Sequence, residues 1–346
     1  MDNWALYRNQ MQTITAILAF LTNSLLLQLI IYKSPKCLGS YKYLMIYISL
    51  FELGYAIIDI LLHPEVMTKG TVWLVAFDSN NSKLPFSVLY VLLLLWSGSF
   101  GISLGNFAIH FIFRYLVVTG NTHWTSNCSY RIIIWLGSSA VFGACWTLAT
   151  HYFERRQQEI DEFIREEVTM LHGVPIQEIV YFGFSFYRKT DGMTVVNWIS
   201  AIGILLMTSL IIISSIIMFY FGIRCYLALK HLAIMTGRSS RSRSIQSQLF
   251  FALVFQTLIP MVLMHIPCSL VLLTTFICGT NEIYGTMLTV TIAIFPAIDP
   301  LPSILIIQPY RTAITGYFKF FGYRRSSQKL ESRGQLTNRM ETGITL

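Results

Sequence analysis

Seven stretches of this chain are apolar for long enough to cross a bilayer, and no other feature limits its possible folds so tightly. A helix needs ~20 apolar residues to traverse ~30 Å of hydrocarbon. Such segments run over about 11–32, 43–63, 86–113, 132–152, 195–221, 248–277 and 283–307 of the 346 residues. Hydrocarbon offers no partner to backbone N–H and C=O groups, so each segment must satisfy its own by forming a helix. Only 12% of residues are charged, against about a quarter in soluble domains. The expected fold is therefore an all-α membrane protein, a seven-transmembrane helix bundle. Pro260 and Pro267 are expected to kink the sixth segment, and Pro296, Pro300 and Pro302 the seventh, because each removes a backbone donor.

Basic residues set the expected orientation. With the N-terminus outside, the inner connections and tail carry 17 of the 25 Lys and Arg residues and two acids, Glu331 and Glu341. The outer segments hold the other 8 basic residues with 12 acids. Basic residues concentrate on the cytoplasmic side of membrane proteins. The net charge of +8 thus fits a cytoplasmic surface facing membrane lipids, with no nucleic-acid partner. The expected division is an extracellular N-terminus over 1–10, a membrane domain over 11–307, an amphipathic juxtamembrane helix over 308–325 and a disordered cytoplasmic tail over 326–346. Asp2 and Arg8 in the first ten residues leave no clustered positive region ahead of the first segment, which is expected to serve as an uncleaved signal anchor. Asn80, in the triplet Asn80-Asn81-Ser82, is a glycosylation acceptor on the outer side. Asn127 fits the same pattern but falls on the inner side.

Two connections stand out. The longest, 153–194, carries eight acids and five bases, with helix formers and opposite charges three or four apart, such as Arg155 with Glu159. A short helical lid and a solvated charged loop are both consistent with it. RSSRSRSIQSQ, 238–248, is a basic, serine-rich inner loop open to phosphorylation.

Polar residues inside the apolar segments are costly and face other helices or water. Ser99, Ser103, Asn106, His110 and Arg114 share one stripe of the third helix at steps of three and four. Ligand contact from outside is one role for Ser99 and Ser103; close packing through Gly98, Gly101 and Gly105 is the other. Arg114, followed by Tyr115, is placed at the inner boundary as a switch, or it snorkels there without further role. Asn23, Glu52 and Asp299 are expected to form a buried polar cluster, either a hinge that changes between states or interhelical glue worth ~0.6–2 kcal/mol per bond. No catalytic constellation, metal-ligand spacing or cofactor motif emerges, so no enzyme activity is expected. No internal repeat marks a two-halved transporter.

Arg114-Tyr115 at the inner end of the third helix resembles the switch of G-protein-coupled receptors. KSPKCLGSYKYLMIYIS, FRYL, REEVTMLHGVPIQEIVYFG, QSQLFFALVFQTLIPMVLMHIP and FPAIDPLPSILIIQPYR resemble, in order, the nematode serpentine chemoreceptors of the Str class. The resemblance implies a chemosensory (olfactory) receptor in the plasma membrane of sensory-neuron cilia. It would bind a small-molecule odorant and activate a heterotrimeric G protein. Arg114, Tyr115, Arg238, Arg241 and Arg243 would then serve switching and coupling. Trp96, Ser99, Ser103, Tyr220 and His265 are the candidate ligand contacts, in an outer pocket between the third, fifth, sixth and seventh helices. This chain departs from rhodopsin-like receptors in three ways. Phe113 replaces the acid before the arginine, and Ser303 stands where the Asp-Pro motif of the seventh helix would lead to tyrosine. The cysteine pair that anchors the long outer loop is missing. A ligand-gated channel or transporter, and an accessory receptor subunit, are the alternative readings.

Overall fold

The computed structural model describes residues 3–35, 38–126, 128–169, 175–190, 193–235, 240–277 and 279–317. Each apolar segment forms a helical span. The first five are Asn3–Lys33, Tyr41–Leu62, Phe86–Val118, Ser129–Phe153 and Trp198–Met235. The sixth consists of Ser240–Pro260, a π-type turn over Met261–His265, and Ile266–Phe276. The seventh joins Glu282–Ile298 to Pro300–Ile306 at Asp299. Both interruptions fall at prolines, which supply no N–H to the helical ladder. The chain is a seven-transmembrane bundle. The third span continues past Phe113 to Val118, so Arg114 sits within the helix and is fully buried.

Residues 308–317 are helical, and Ala313 and Ile314 in them pack against the bundle while Arg311 and Tyr317 are exposed. The rest of the expected 308–325 helix, the expected tail over 326–346, Arg238 and Asn127 lie outside the described residues. Of Arg241 and Arg243 only the helical backbone is described.

Hydropathy gives no sign of the strands at one end of the bundle, hereafter the sheet face. His63 closes the second span in a left-handed conformation, its N–H bonded to the Asp59 carbonyl at 2.8 Å. The chain then turns through Pro64 into β1 (Glu65–Lys69) and β2 (Val72–Asp78), an antiparallel hairpin. The long connection after the fourth span begins with a helical turn, Gln158–Phe163. It then returns as β3 (Ile179–Ser185), which pairs with β2 from Val72↔Ser185 to Asp78↔Ile179. A second hairpin, β4 (Tyr187–Thr190) with β5 (Met193–Val196), leads into the fifth span.

Strand alternation gives this three-stranded sheet two apolar faces. Val66, Val75, Phe77, Val180 and Phe182 pack down on the bundle. Leu74, Ala76, Ile179 and Tyr181 pack up against Ile160, Ile164 and Ile176 of the long connection. Every residue of β3 is therefore buried. The charged loop is a helical cover over a buried sheet, and among its described residues Arg156 pairs with Asp161 at 2.9 Å, in place of the expected Arg155 with Glu159.

The seventh span pins the sheet. Thr289 Oγ1 accepts from the Val66 N–H at 2.9 Å, and Thr68 Oγ1 accepts from the Gly285 N–H at 3.1 Å. A Cβ on Gly285 would overlap the Val66 carbonyl oxygen, so only glycine lets helix and strand come this close. Gly285→Val should lift β1 from the seventh span and destabilise the protein by about 1–3 kcal/mol, as overpacking does. The measurement is thermal unfolding in detergent; an unchanged midpoint would contradict this docking.

Candidate functional site

Beneath the sheet lies a cavity of about 60 Å³, room for several water-sized groups. Val66, Trp73 and Phe182 of the three strands roof it. Its walls come from Phe51 and Tyr55 of the second span, Trp96 to Ser103 of the third, Trp146 of the fourth, Met264 and Cys268 of the sixth, and Leu288 to Phe295 of the seventh. The fifth span, expected to contribute, does not line it. Trp96, Ser99 and Ser103 lie on the wall. His265 is buried just behind it, edge-on to Phe100 at 5.2 Å. Tyr220 is 56% exposed on the fifth span and is not among the residues that line the cavity.

The polar groups on the wall are few and distinct. Ser99 Oγ donates to its own helix at the Leu95 carbonyl, 2.8 Å away. Trp73 Nε1 is buried and, among the described residues, bonded to no protein group, which leaves it for a ligand or water. Tyr55 Oη lies against Trp96 and Asp59. Ser97, not among the expected residues, lines the cavity and bonds through its hydroxyl to Thr150 Oγ1 of the fourth span at 2.9 Å. Gly98, Gly101 and Gly105 face the fourth span, where a Cβ would collide with Thr147, Phe142 and Ser139. The glycines therefore serve packing, while the serines beside them face the cavity.

Deeper in the bundle, Asn23, Glu52 and Asp299 come together, joined by Gln256 and Ser303. Pro300 has no N–H for the Pro296 carbonyl four residues back; Asn23 Nδ2 supplies that donor across the helix interface at 3.0 Å. Glu52 lies against Asp299. Gln256 Nε2 donates to Asp299 Oδ2 at 3.2 Å and its Oε1 accepts from Ser303 at 2.9 Å. The first, second, sixth and seventh spans are thus tied together at the break in the seventh. Ser303, standing where tyrosine was expected, completes this network. Tyr310 instead bonds Ser34 beyond the first span at 2.8 Å.

At the end opposite the sheet, Arg114 Nη2 donates to both the Gln246 carbonyl at 2.9 Å and the Gln246 Oε1 at 2.8 Å. Its guanidinium lies 4.9 Å from the centre of the Tyr41 ring. With Phe113 in place of an acid, the arginine is latched to the sixth span through an amide. Tyr115 packs on Phe221 at 5.5 Å and accepts from Arg224 at 3.4 Å, a second link to the fifth span. His110, next on the stripe, bonds Tyr41 at 3.2 Å. Asn80 is exposed at the edge of the sheet, where its side-chain amide donates to Glu178.

Residues 8–315 match the family model described as serpentine type 7TM GPCR chemoreceptor Str. The chain is similar to the G-protein coupled receptor str-217 of Caenorhabditis elegans, 32% identical over 311 residues and covering 89% of each chain. It is similar to the serpentine receptor class r-10 of the same species, 25% identical over 315 residues and 87% of each chain. The r-10 receptor of Caenorhabditis briggsae is 26% identical over 313 residues, 86% of each.

Glu154, just past the end of the fourth span, is 2% exposed. Burial drives its carboxyl up from 4.5 to about 8, with a hydrogen bond from Thr150 partly opposing the shift. Its place at a helix C-terminus also disfavours a negative charge. Between pH 4.5 and about 8 the folded protein holds a proton that the unfolded chain has released, so stability falls as pH rises through that window and is flat on either side. The loss should be on the order of a few kcal/mol. Thermal midpoints measured from pH 4 upward should show that decline in the wild type and a shallower one in Glu154→Gln; equal slopes would refute the assignment.

Proposed function

The chain belongs to the Str family of serpentine seven-transmembrane chemoreceptors, and from that premise we propose that it binds a small, largely apolar environmental molecule under its sheet and activates a heterotrimeric G protein at the opposite end. The sheet face is then extracellular and the basic face cytoplasmic, in the plasma membrane of sensory-neuron cilia. One observation carries this reading: a single helix, the third span, bears both the serines of the cavity beneath the sheet and the buried Arg114 of the latch.

The mechanism follows from the geometry. The cavity wall draws on the sixth span's π-type turn and the segment that follows it, through Met264 and Cys268, and on the seventh span above Asp299. A ligand that fits better when these segments shift favours the shifted arrangement by its difference in affinity alone. The break at Met261–His265 is where such a displacement changes the direction of the inner half of the sixth span, and the Arg114–Gln246 contact is what resists it. Opening that contact exposes the cytoplasmic ends of the third, fifth and sixth spans, with Arg241 and Arg243 on the last, to a G protein.

Gln246→Ala should raise ligand-independent signalling severalfold, because it removes the side-chain half of the latch. Arg114→Ala should abolish ligand-evoked signalling at undiminished surface level. The measurement is a G-protein-dependent reporter in cells expressing the full chain, with surface labelling alongside. Wild-type basal output in the first variant and a wild-type response in the second would together rule out the latch. A ligand-evoked current that persists in cells lacking G-protein function would instead mark a channel.

A further inference from the structure

Two tryptophans of the cavity differ in what their N–H groups meet. Trp96 Nε1, on the third span, donates to Asp59 Oδ1 at 2.9 Å. Trp73 Nε1, in the roof, is shielded from solvent and meets no acceptor among the described residues. An indole N–H can donate but never accept. A buried donor left unmet is costly, and native folds rarely keep one without a use for it.

The surrounding fold offers this N–H no remedy. β2 is the central strand of its sheet, paired with β1 at Thr68↔Trp73 and with β3 at Trp73↔Phe184. Main-chain carbonyls of a central strand already accept from one neighbour or the other. The ring is also held where it stands. It stacks on Phe184 with centroids 5.3 Å and planes 22° apart, and it packs at 6.0 Å from Phe182. Nearby hydroxyls are otherwise engaged: Ser99 donates to the Leu95 carbonyl at 2.8 Å, and Ser97 meets Thr150 at 2.9 Å. The roof therefore presents a fixed donor to a wall that is otherwise mostly hydrocarbon.

We propose that Trp73 selects the ligand: its N–H meets an acceptor atom on an otherwise apolar molecule, such as an ether or a carbonyl compound, and discriminates against a hydrocarbon of the same shape. This rests on the reading of the cavity as the ligand site and names the chemical class that site takes. A volume of about 60 Å³ admits roughly five water-sized groups, so the molecule is a short one. Because Trp73 stands on β2, the strand pairing that closes the roof also places the donor.

The test uses the full chain in lipid nanodiscs, isotope-labelled at the tryptophan indole nitrogens, with diethyl ether and n-pentane as probes. The two differ by one oxygen in place of a methylene. Trp73→Phe keeps a ring against Phe184, removes the donor and assigns the Trp73 signal by its loss. The Trp96 and Trp146 signals report occupancy in every variant. Ether should move the Trp73 indole proton downfield and pentane should not. After correction for uptake by empty nanodiscs, ether should bind the wild type roughly tenfold more tightly than pentane, as one unmet buried donor implies. Trp73→Phe should abolish that preference and leave pentane binding unchanged. Equal affinities in the wild type, or a preference that survives Trp73→Phe, would overturn the proposal; a preference removed by Ser103→Ala instead would do so by assigning the donor to the serine. Shifts at Trp96 and Trp146 with a motionless Trp73 would overturn it too, while leaving the cavity as the ligand site. No shift at any of the three with either probe would overturn both.

Discussion

The pairing of β2 with β3 is the constraint on which the rest of this structure depends. The long connection after the fourth span lies over the mouth of the bundle, and among the described residues the cysteines are free. Main-chain hydrogen bonds hold it there along seven residue pairs, from Val72↔Ser185 to Asp78↔Ile179. Each such bond contributes only ~0.5–1.5 kcal/mol net. The sheet is nonetheless well held because both its faces are buried, one against the spans and one against the helical turn of the long connection. Without this pairing the cavity would lose its roof of Trp73 and Phe182 and fill with water.

The third span connects that roofed cavity to the opposite end. Its polar stripe looked uniform in sequence but divides into separate tasks in the fold. Ser99 and Ser103 face the cavity, His110 meets Tyr41, and Arg114 grips Gln246. None of these contacts is a strong ion pair. The Arg114–Gln246 contact is an arginine on a neutral amide, and under the proposed mechanism it is this contact that a ligand's differential affinity has to outweigh. The Asn23–Glu52–Asp299–Gln256–Ser303 network sits between the two ends, at the proline break where the seventh span bends most easily.

Much of this was legible in the residues. A stretch of lipid-compatible sequence has one structural solution, so all seven spans could be placed to within a turn or so at most ends. The prolines located the breaks because a missing N–H has a fixed consequence. Asn23, Glu52 and Asp299 were expected to meet, since buried polar groups at matching depths seek one another. The sheet was not legible. Strands such as VWLVAFD and IVYFGFS lack the alternation of a half-exposed strand because both their faces are covered. Tyr220 was misassigned because a tyrosine in an apolar helix carries no mark of which side faces lipid. Glu154 went unnoticed because it lies in a segment crowded with acids, and only the fold shows that, among the described acids of that segment, it is the buried one.

The most direct test of the central claim is amide hydrogen exchange on the intact protein in nanodiscs, with and without a reducing agent. Backbone pairing without a disulfide predicts slow exchange across 72–78 and 179–185, unchanged on reduction. Rapid exchange in both segments, or protection that collapses when thiol reductant is added, would contradict it.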